Sequence, residues 1–481
     1  MKKLLVIFYL LITGSTHCNA EGYDIKLTVK QMAGKDIILG YYYEGKIYTA
    51  DTTRLNASGV GNFRNSEKQL ARGVYVLLFS ANNYFDLIIG DHQKFSIKAD
   101  TLNTIDNIHF ENSPENEAFL DIQRFIMQQN QKNRQLQKEY SKDIKKGDPE
   151  IKKSYRRKAE KNEIESRNYL LDVISLYPGS ALTTFIGLTL SPIIPDFSEE
   201  IPADTPNKEL EIQRRSYYYN KKHYWDHTNF SDSTLIRTPV FRSKIDHYFN
   251  NILLQHPDTV YDACSQLIEK TRDNKTMFRY LTGYCFNFTA DSKIMGMDKA
   301  FVNIAKRYYL SHNANWVSED NLKKIEEEVI KLQYNLIGST TQELKLPTMD
   351  GNWVSLHETK APFTLLLFWE SNCGHCKKQM PQIKTELSDR FKAYGFKVFA
   401  VHTQNKKDEW EKFVQEHDLF DFINCWDPNN QSNYRIYYNV FSTPVMYLLD
   451  KDKKIIAKKL DIEQLADMLQ KEYKRIGIEV K

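Results

Sequence analysis

Two cysteines three residues apart stand in the run Trp369-Glu370-Ser371-Asn372-Cys373-Gly374-His375-Cys376-Lys377-Lys378-Gln379-Met380-Pro381, and no other part of this sequence is as well suited to chemistry. Residues 363–369 have the length of a buried strand, and residues 376–394 carry apolar side chains at helical spacing, so Cys373 falls at a helix N-terminus. There the unsatisfied backbone N–H groups and the helix dipole favour a thiolate over a thiol. Cys376, on the same first turn, is near enough to close a disulfide with it, and Pro381 should bend the helix that follows. The pair can therefore cycle between dithiol and disulfide. Half of a zinc site is a competing reading, but two further Cys or His ligands at close spacing do not accompany the pair. A purely structural disulfide is another, although so short a loop gains little from closure entropy.

The start of the chain indicates a compartment in which such chemistry is used. Lys2 and Lys3 precede an apolar stretch over residues 4–12 and a short polar segment ending at Ala20, the pattern of a secretory signal. The apolar stretch is too short for a membrane span. Cleavage after Ala20 is expected in place of lipidation at Cys18, because His17 stands where lipoprotein signals carry a small residue. The expected location is the periplasm or cell envelope. Losing residues 1–20 removes two lysines and no acids, taking the formal charge from +4 to +2. That near-neutral balance argues against nucleic acid as a partner. Cys264, Cys285, Cys373, Cys376 and Cys425 would remain, an odd number, so at least one thiol stays unbridged.

At roughly 150 residues per domain, 481 residues suggest about three domains, and the patterning agrees. We expect a signal peptide over 1–20, a small all-β domain over 21–105, a helical middle domain over 110–336 and a C-terminal α/β domain over 337–481. The first is built of short strands rich in Tyr, Val, Ile and Phe, such as residues 37–43, 73–79 and 85–89, separated by turn residues, and reads as a β-sandwich or barrel. Its tyrosines are read as β core or exposed strand faces rather than as a binding surface. In the middle region, residues 117–142 and 151–177 form two long amphipathic helices divided by Gly147-Asp148-Pro149, an antiparallel hairpin. The basic run over 152–158 is surrounded by Glu150, Glu160, Glu163 and Glu165 and reads as a solvated helix face. From residue 337 strands and helices alternate, which implies a mostly parallel or mixed sheet covered by helices.

His223 and His227, four apart with Asp226 between them, would face one way on a helix, but no third metal ligand is evident and no metal site is expected. Cys425 reads as a buried small hydrophobe. Cys264 and Cys285, 21 residues apart, are candidates for a disulfide that the sequence cannot decide.

Trp369, the Cys373-Gly374-His375-Cys376 motif, Pro381 and Ser442-Thr443-Pro444 before a strand resemble the thioredoxin fold. The leading hairpin near residues 344–356, the insert over 407–426 and Phe441-Ser442-Thr443-Pro444-Val445-Met446-Tyr447-Leu448-Leu449-Asp450 are similar to the exported TlpA/ResA-like thiol-disulfide oxidoreductases. The resemblance covers about residues 337–480. It implies a cis peptide bond between Thr443 and Pro444 facing the cysteines, with Cys373 as nucleophile and Cys376 as resolving thiol. Pro444 is then expected to hold the substrate segment against Cys373 through the backbone of Thr443, with Trp369 shaping the adjacent substrate-binding surface. More faintly, Tyr224-Trp225, Phe230-Ser231-Asp232 and Arg237-Thr238-Pro239-Val240-Phe241 resemble uncharacterised domains that precede such redox domains, and this gives them no chemistry.

Two positions depart from the family pattern. Leu367 stands where thioredoxin carries a buried acid, and Gln379 where ResA-like proteins carry a Glu, so proton removal from Cys376 falls to water, to Glu370 or to a group not evident in the sequence. His375 is expected to stabilise the Cys373 thiolate and raise the reduction potential, as Gly-His does in protein disulfide isomerases at roughly −180 mV. No flavin or nicotinamide motif accompanies the pair. No cofactor is expected, and electrons must come from a partner, for which the resemblance implies a membrane donor. The substrates would be protein thiols or disulfides of the exported compartment. Glu370 also stands where peroxiredoxins place a Thr, which argues against peroxide reduction. The alternative from another class is a binding module with little turnover, whose N-terminal domains recognise the partner.

Overall fold

The computed structural model describes residues 22–80, 83–101, 105–143 and 149–481. The signal segment with Cys18, and Gly147 and Asp148 of the expected turn, lie outside the described residues. The chain divides into two compact units, Met1–Ile252 and Leu253–Lys481, so the helical stretch expected over 110–336 is shared between them.

In the first unit the strands are β1 (Tyr23–Thr28), β2 (Asp36–Tyr43), β3 (Lys46–Arg54), β4 (Val60–Asn65), β5 (Gly73–Ser80), β6 (Asn83–Ile89), β7 (Lys94–Lys98) and β8 (His109–Glu111). They form two four-stranded sheets, ordered β4-β1-β7-β8 and β3-β2-β5-β6. The alternation in β1 shows why they stack: Tyr23, Ile25 and Leu27 point to one face and meet Leu39, Phe63, Leu77 and Leu87 in a shared core. Fully burying each aliphatic side chain contributes on the order of 2 kcal/mol. The tyrosines divide as expected between core and strand face. Tyr75 is buried, while Tyr41 and Tyr48 lie opposite each other on β2 and β3 with stacked rings.

Helices α1 (Pro114–Asp143) and α2 (Pro149–Leu176) form the expected hairpin, clasped by stacked Phe125 and Tyr169 and by the Lys132–Glu165 ion pair. Within the basic run, exposed Arg156 pairs with Glu160, as a solvated face does. Beyond α3 (Ala181–Thr189), α4 (Lys208–His223) ends at the first histidine of the spaced pair, so the two do not share a helical face. His223 bonds Asp226, and His227 faces the Arg167 guanidinium. The unit ends with α5 (Phe241–His247) and a π-turn over Tyr248–Ile252.

The second unit begins with α6 (Pro257–Glu269), α7 (Lys275–Ala290), α8 (Asp298–Ile304) and α9 (Glu319–Gln333). Cys264 on α6 and Cys285 on α7 are both buried and free, with their thiols hydrogen-bonded to each other. The α/β part then runs β9 (Lys345–Pro347), β10 (Trp353–Ser355), β11 (Thr364–Trp369), α10 (Gly374–Gln382), β12 (Lys397–His402), α11 (Lys407–Glu416), β13 (Ile423–Trp426), α12 (Tyr434–Tyr437), β14 (Val445–Leu449), β15 (Ile455–Lys458) and α13 (Ile462–Arg475). β9 and β10 pair as the expected hairpin, and the five-stranded sheet is ordered β13-β12-β11-β14-β15.

Central β11 is apolar throughout because both of its faces are covered. Leu365, Leu367 and Trp369 pack with Met380, Phe413 and Leu469 on one side, and Leu366 and Phe368 with Tyr434 and Tyr438 on the other. Helix α10 is shorter than the 376–394 span read from periodicity. Pro381 has no N–H for the carbonyl one turn back, and the backbone widens into a π-turn over Ile383–Asp389. Among the described residues no helix is long and apolar enough to cross a membrane.

One buried charge ties this sheet to the helices before it. Lys458 on β15 is almost fully buried, donates to Asn335 O at 2.6 Å and Asn335 Oδ1 at 3.0 Å, and pairs with the Asp298 carboxylate on α8. Removing one partner strands the other charge in the interior. Asp298→Ala should therefore destabilise this unit by about 3 kcal/mol in urea unfolding followed by tryptophan fluorescence. Adding Lys458→Met should recover part of the loss; an unshifted midpoint in Asp298→Ala would show that the pair contributes nothing.

Candidate active site

The chain leaves β11 at Trp369, crosses Glu370, Ser371 and Asn372, and enters α10 with Cys373 as the capping residue. Cys373 has extended backbone angles, φ −76° and ψ 123°, and its Sγ accepts a hydrogen bond from Cys376 N at 3.4 Å. A sulfur thus occupies the place where a Ser or Asp oxygen usually satisfies the first free amides of a helix. A Cβ at Gly374 would meet nothing, so the surface beside the thiol is uncovered.

The two thiols sit in opposed environments. Burial raises the Cys373 pKa, but the Cys376 amide and thiol, the Thr443 side chain and the His375 amide outweigh it and hold the group below the ordinary thiol value. Cys376 has no exposed surface, and burial pushes it up to about 12, with the neighbouring Cys373 adding to the effect. One sulfur is accessible and more acidic than an ordinary thiol, and the other is buried and kept a thiol. His375 is exposed, and what it brings to Cys373 here is its backbone N–H.

Facing the pair, the Thr443-Pro444 peptide bond is cis, and Thr443 O accepts from the Cys373 thiol at 3.4 Å. Phe441, two residues earlier, is largely exposed. Trp369 does not share this surface. It has no exposed area and lies against His402 and Phe413, so the expectation that its ring contacts substrate is corrected: as the last inward position of β11 it forms the floor under the loop.

The expected proton acceptors fare differently. Leu367 is a core residue. Gln379 lies one turn beyond Cys376, and its Oε1 is buried without a hydrogen-bond partner. Glu370 turns its backbone amide to Cys376, while its carboxylate accepts from Thr403 Oγ1 at 3.0 Å and Gln404 Nε2 at 3.2 Å. Gln404 Nε2 also donates to Asn372 Oδ1 at 2.8 Å, and Thr403 N to Trp369 O at 3.0 Å. Among the described residues no carboxylate hydrogen-bonds either cysteine.

Thr403 and Gln404, together with His402, were not singled out from the sequence. A signal for them existed: in a parallel sheet the residues leaving neighbouring strands emerge side by side, and β11 pairs with β12 in parallel, Trp369 opposite His402. Cys425 on β13 is buried, with its Sγ 3.6 Å from Ala400 O, as a small core residue.

Comparison with known proteins agrees with this architecture. Residues 337–458 match the AhpC/TSA family, and residues 193–337 match a domain of unknown function, DUF5106. Thiol-disulfide oxidoreductase ResA of Bacillus thuringiensis subsp. konkukian is 27% identical over 140 residues, 29% of this chain and 78% of that protein. ResA of Geobacillus kaustophilus is 30% identical over 120 residues, 25% of this chain and 66% of that protein. A solved domain of a possible thiol-disulfide isomerase from Cytophaga hutchinsonii is 33% identical, covering 30% of this chain and 96% of its own, with a TM-score of 0.28. Strand order, cysteine-capped helix and sequence matches thus converge: the C-terminal part of this chain is a thioredoxin-like domain of the AhpC/TSA family, homologous to the ResA thiol-disulfide oxidoreductases and preceded by regions of unknown function.

Proposed function

We propose that this chain is an exported protein-disulfide oxidoreductase that exchanges disulfides through Cys373 and Cys376. The observation that carries the reading is the split between the thiols: Cys373 at the surface below the ordinary thiol value, Cys376 buried and raised to about 12. The thiolate of Cys373 attacks one sulfur of a substrate disulfide. A Cys373–substrate bond forms, the substrate S–S bond breaks, and the departing sulfur leaves as a thiolate that takes a proton from water. Cys376 then loses its proton and attacks Cys373 Sγ, which releases the second substrate sulfur and leaves a Cys373–Cys376 disulfide. The substrate has gained two electrons. A dithiol donor, for which a membrane protein is the natural source in an exported compartment, returns them to the enzyme.

Roles follow from position. Thr443 and Pro444 hold the substrate segment, since Thr443 O already faces Cys373 Sγ. Gly374 keeps the approach open and the His375 amide stabilises the thiolate. With no carboxylate bonded to the pair among the described residues, deprotonation of Cys376 is left to water, which makes resolution the slow step. That same lack favours the second reading, a partner-binding module with little turnover. Periplasmic or cell-envelope location rests on the Lys2-Lys3 and apolar pattern at the start of the chain.

Insulin-disulfide reduction with dithiothreitol separates the two readings. Turnover above the uncatalysed rate is expected, with loss to background in Cys373→Ser and accumulation of mixed disulfides in Cys376→Ser; a parent protein at background would support the binding module. Equilibration with glutathione should give a potential above that of thioredoxin, roughly −270 mV, because stabilising the Cys373 thiolate stabilises the reduced form. A value at or below that figure would refute the thiolate argument.

A further inference from the structure

We infer that His402 is a positioning residue that fixes the loop before Cys373, with its imidazole accepting the Ser371 backbone N–H. The inference rests on the redox reading for its purpose, but its geometry stands independently.

His402 ends β12 with no exposed surface. Its ring is clamped: the Trp410 indole stacks parallel at 5.6 Å and 7°, and Trp369 meets it edge-on at 5.2 Å. Two backbone groups then define its protonation. Gln404 O, 3.0 Å from Nδ1, can only accept, so Nδ1 carries the hydrogen. Ser371 N, 3.3 Å from Nε2, can only donate, so Nε2 presents its lone pair. The Ser371 hydroxyl lies at the same distance from that lone pair. One neutral tautomer satisfies every contact. Burial lowers the His402 pKa to about 4, with Gln404 O and Glu409 opposing it weakly, so the ring stays neutral near pH 7.

Ser371 is the residue that the other loop bonds leave out. Trp369 O, the Glu370 carboxylate and Asn372 Oδ1 are held by Thr403 and Gln404, on either side of it. Without His402 a buried amide loses its partner midway along the loop, and Cys373 Sγ is no longer registered over Cys376 N. These braces come from the last residue of β12 and the turn that follows it.

The test reads the thiolate, not turnover. In the full mature chain, the pH profile of Cys373 alkylation by iodoacetamide is followed by peptide mass spectrometry for parent, His402→Phe and His402→Gln. Phe preserves a stacking ring but offers no acceptor; Gln restores an acceptor oxygen. The Phe variant should react about three- to tenfold more slowly at pH 7, the worth of one hydrogen bond, with its profile moved to higher pH, and Gln should return most of the rate. Equal profiles for parent and Phe, or Gln as impaired as Phe, overturn the inference. Should the variants fold poorly, amide hydrogen exchange of the parent decides it: Ser371 N–H is expected to be protected, and exchange at the free-peptide rate refutes the bond. Because the readout is a difference in thiol reactivity, absence of insulin turnover together with the expected difference would count against the redox function while supporting the role of His402.

Discussion

The parallel pairing of β11 with β12 is the constraint on which the site depends. It places Trp369 opposite His402, and every residue after those two is thereby set beside its counterpart across the sheet. A helix N-terminus supplies amides to any sulfur that caps it, but it supplies them usefully only when the capping residue is held still. The loop over residues 370–372 has no secondary structure of its own to do that. Its rigidity is borrowed from the neighbouring strand end, through the Thr403, Gln404 and His402 bonds. The carboxylate of Glu370 takes part in the same bracing, one oxygen accepting from Thr403 and the other from Gln404.

Burial then divides the labour between two chemically identical groups. Cys373 and Cys376 stand on one helical turn, yet only the first reaches solvent, and desolvation acts against the thiolate of the second by far more. The other thiols are removed from competition in the same way. Cys264 and Cys425 lie in apolar surroundings that raise their pKa well above the ordinary value, and Cys285 is equally inaccessible. For the proposed thiol exchange this matters: an exposed second thiolate would form internal mixed disulfides with Cys373.

What was legible in the sequence follows the range of the interactions. The Cys373 cap, the strand before it and the cis peptide at Thr443-Pro444 depend on local pattern or on motif, and they stand where expected. The sandwich strands were legible because a half-buried sheet writes an alternation such as that of Tyr23, Ile25 and Leu27. Trp369 was misplaced for a physical reason: an aromatic residue next to a motif reads as surface, whereas strand alternation put it inward with Leu365 and Leu367. The helix after the cysteines read as continuous because periodicity survives a π-turn better than hydrogen bonding does. His402, Thr403 and Gln404 lie some 30 residues from the motif, and nothing in their own neighbourhood marks them; only the sheet pairing does.

The helices α8 and α9 belong in the same account as the redox sheet, because a lysine on β15 would be untenable without them. Desolvating Lys458 lowers its pKa, and Asp298 and Asn335, both from that helical segment, compensate the charge. The same segment reaches the other side of the site. Asn335 Nδ2 donates to Tyr437 O, Tyr334 packs edge-on against Tyr437, and Lys331 lies over the Phe441 ring at 5.8 Å. Phe441 leads directly into Ser442, Thr443 and the cis proline. The segment that faces Cys373 is therefore backed by α9, much as the segment before Cys373 is backed by the turn after β12. Each side of the reactive sulfur is positioned by an element remote from it in sequence, and a redox domain cut at residue 337 would keep the second support and lose the first.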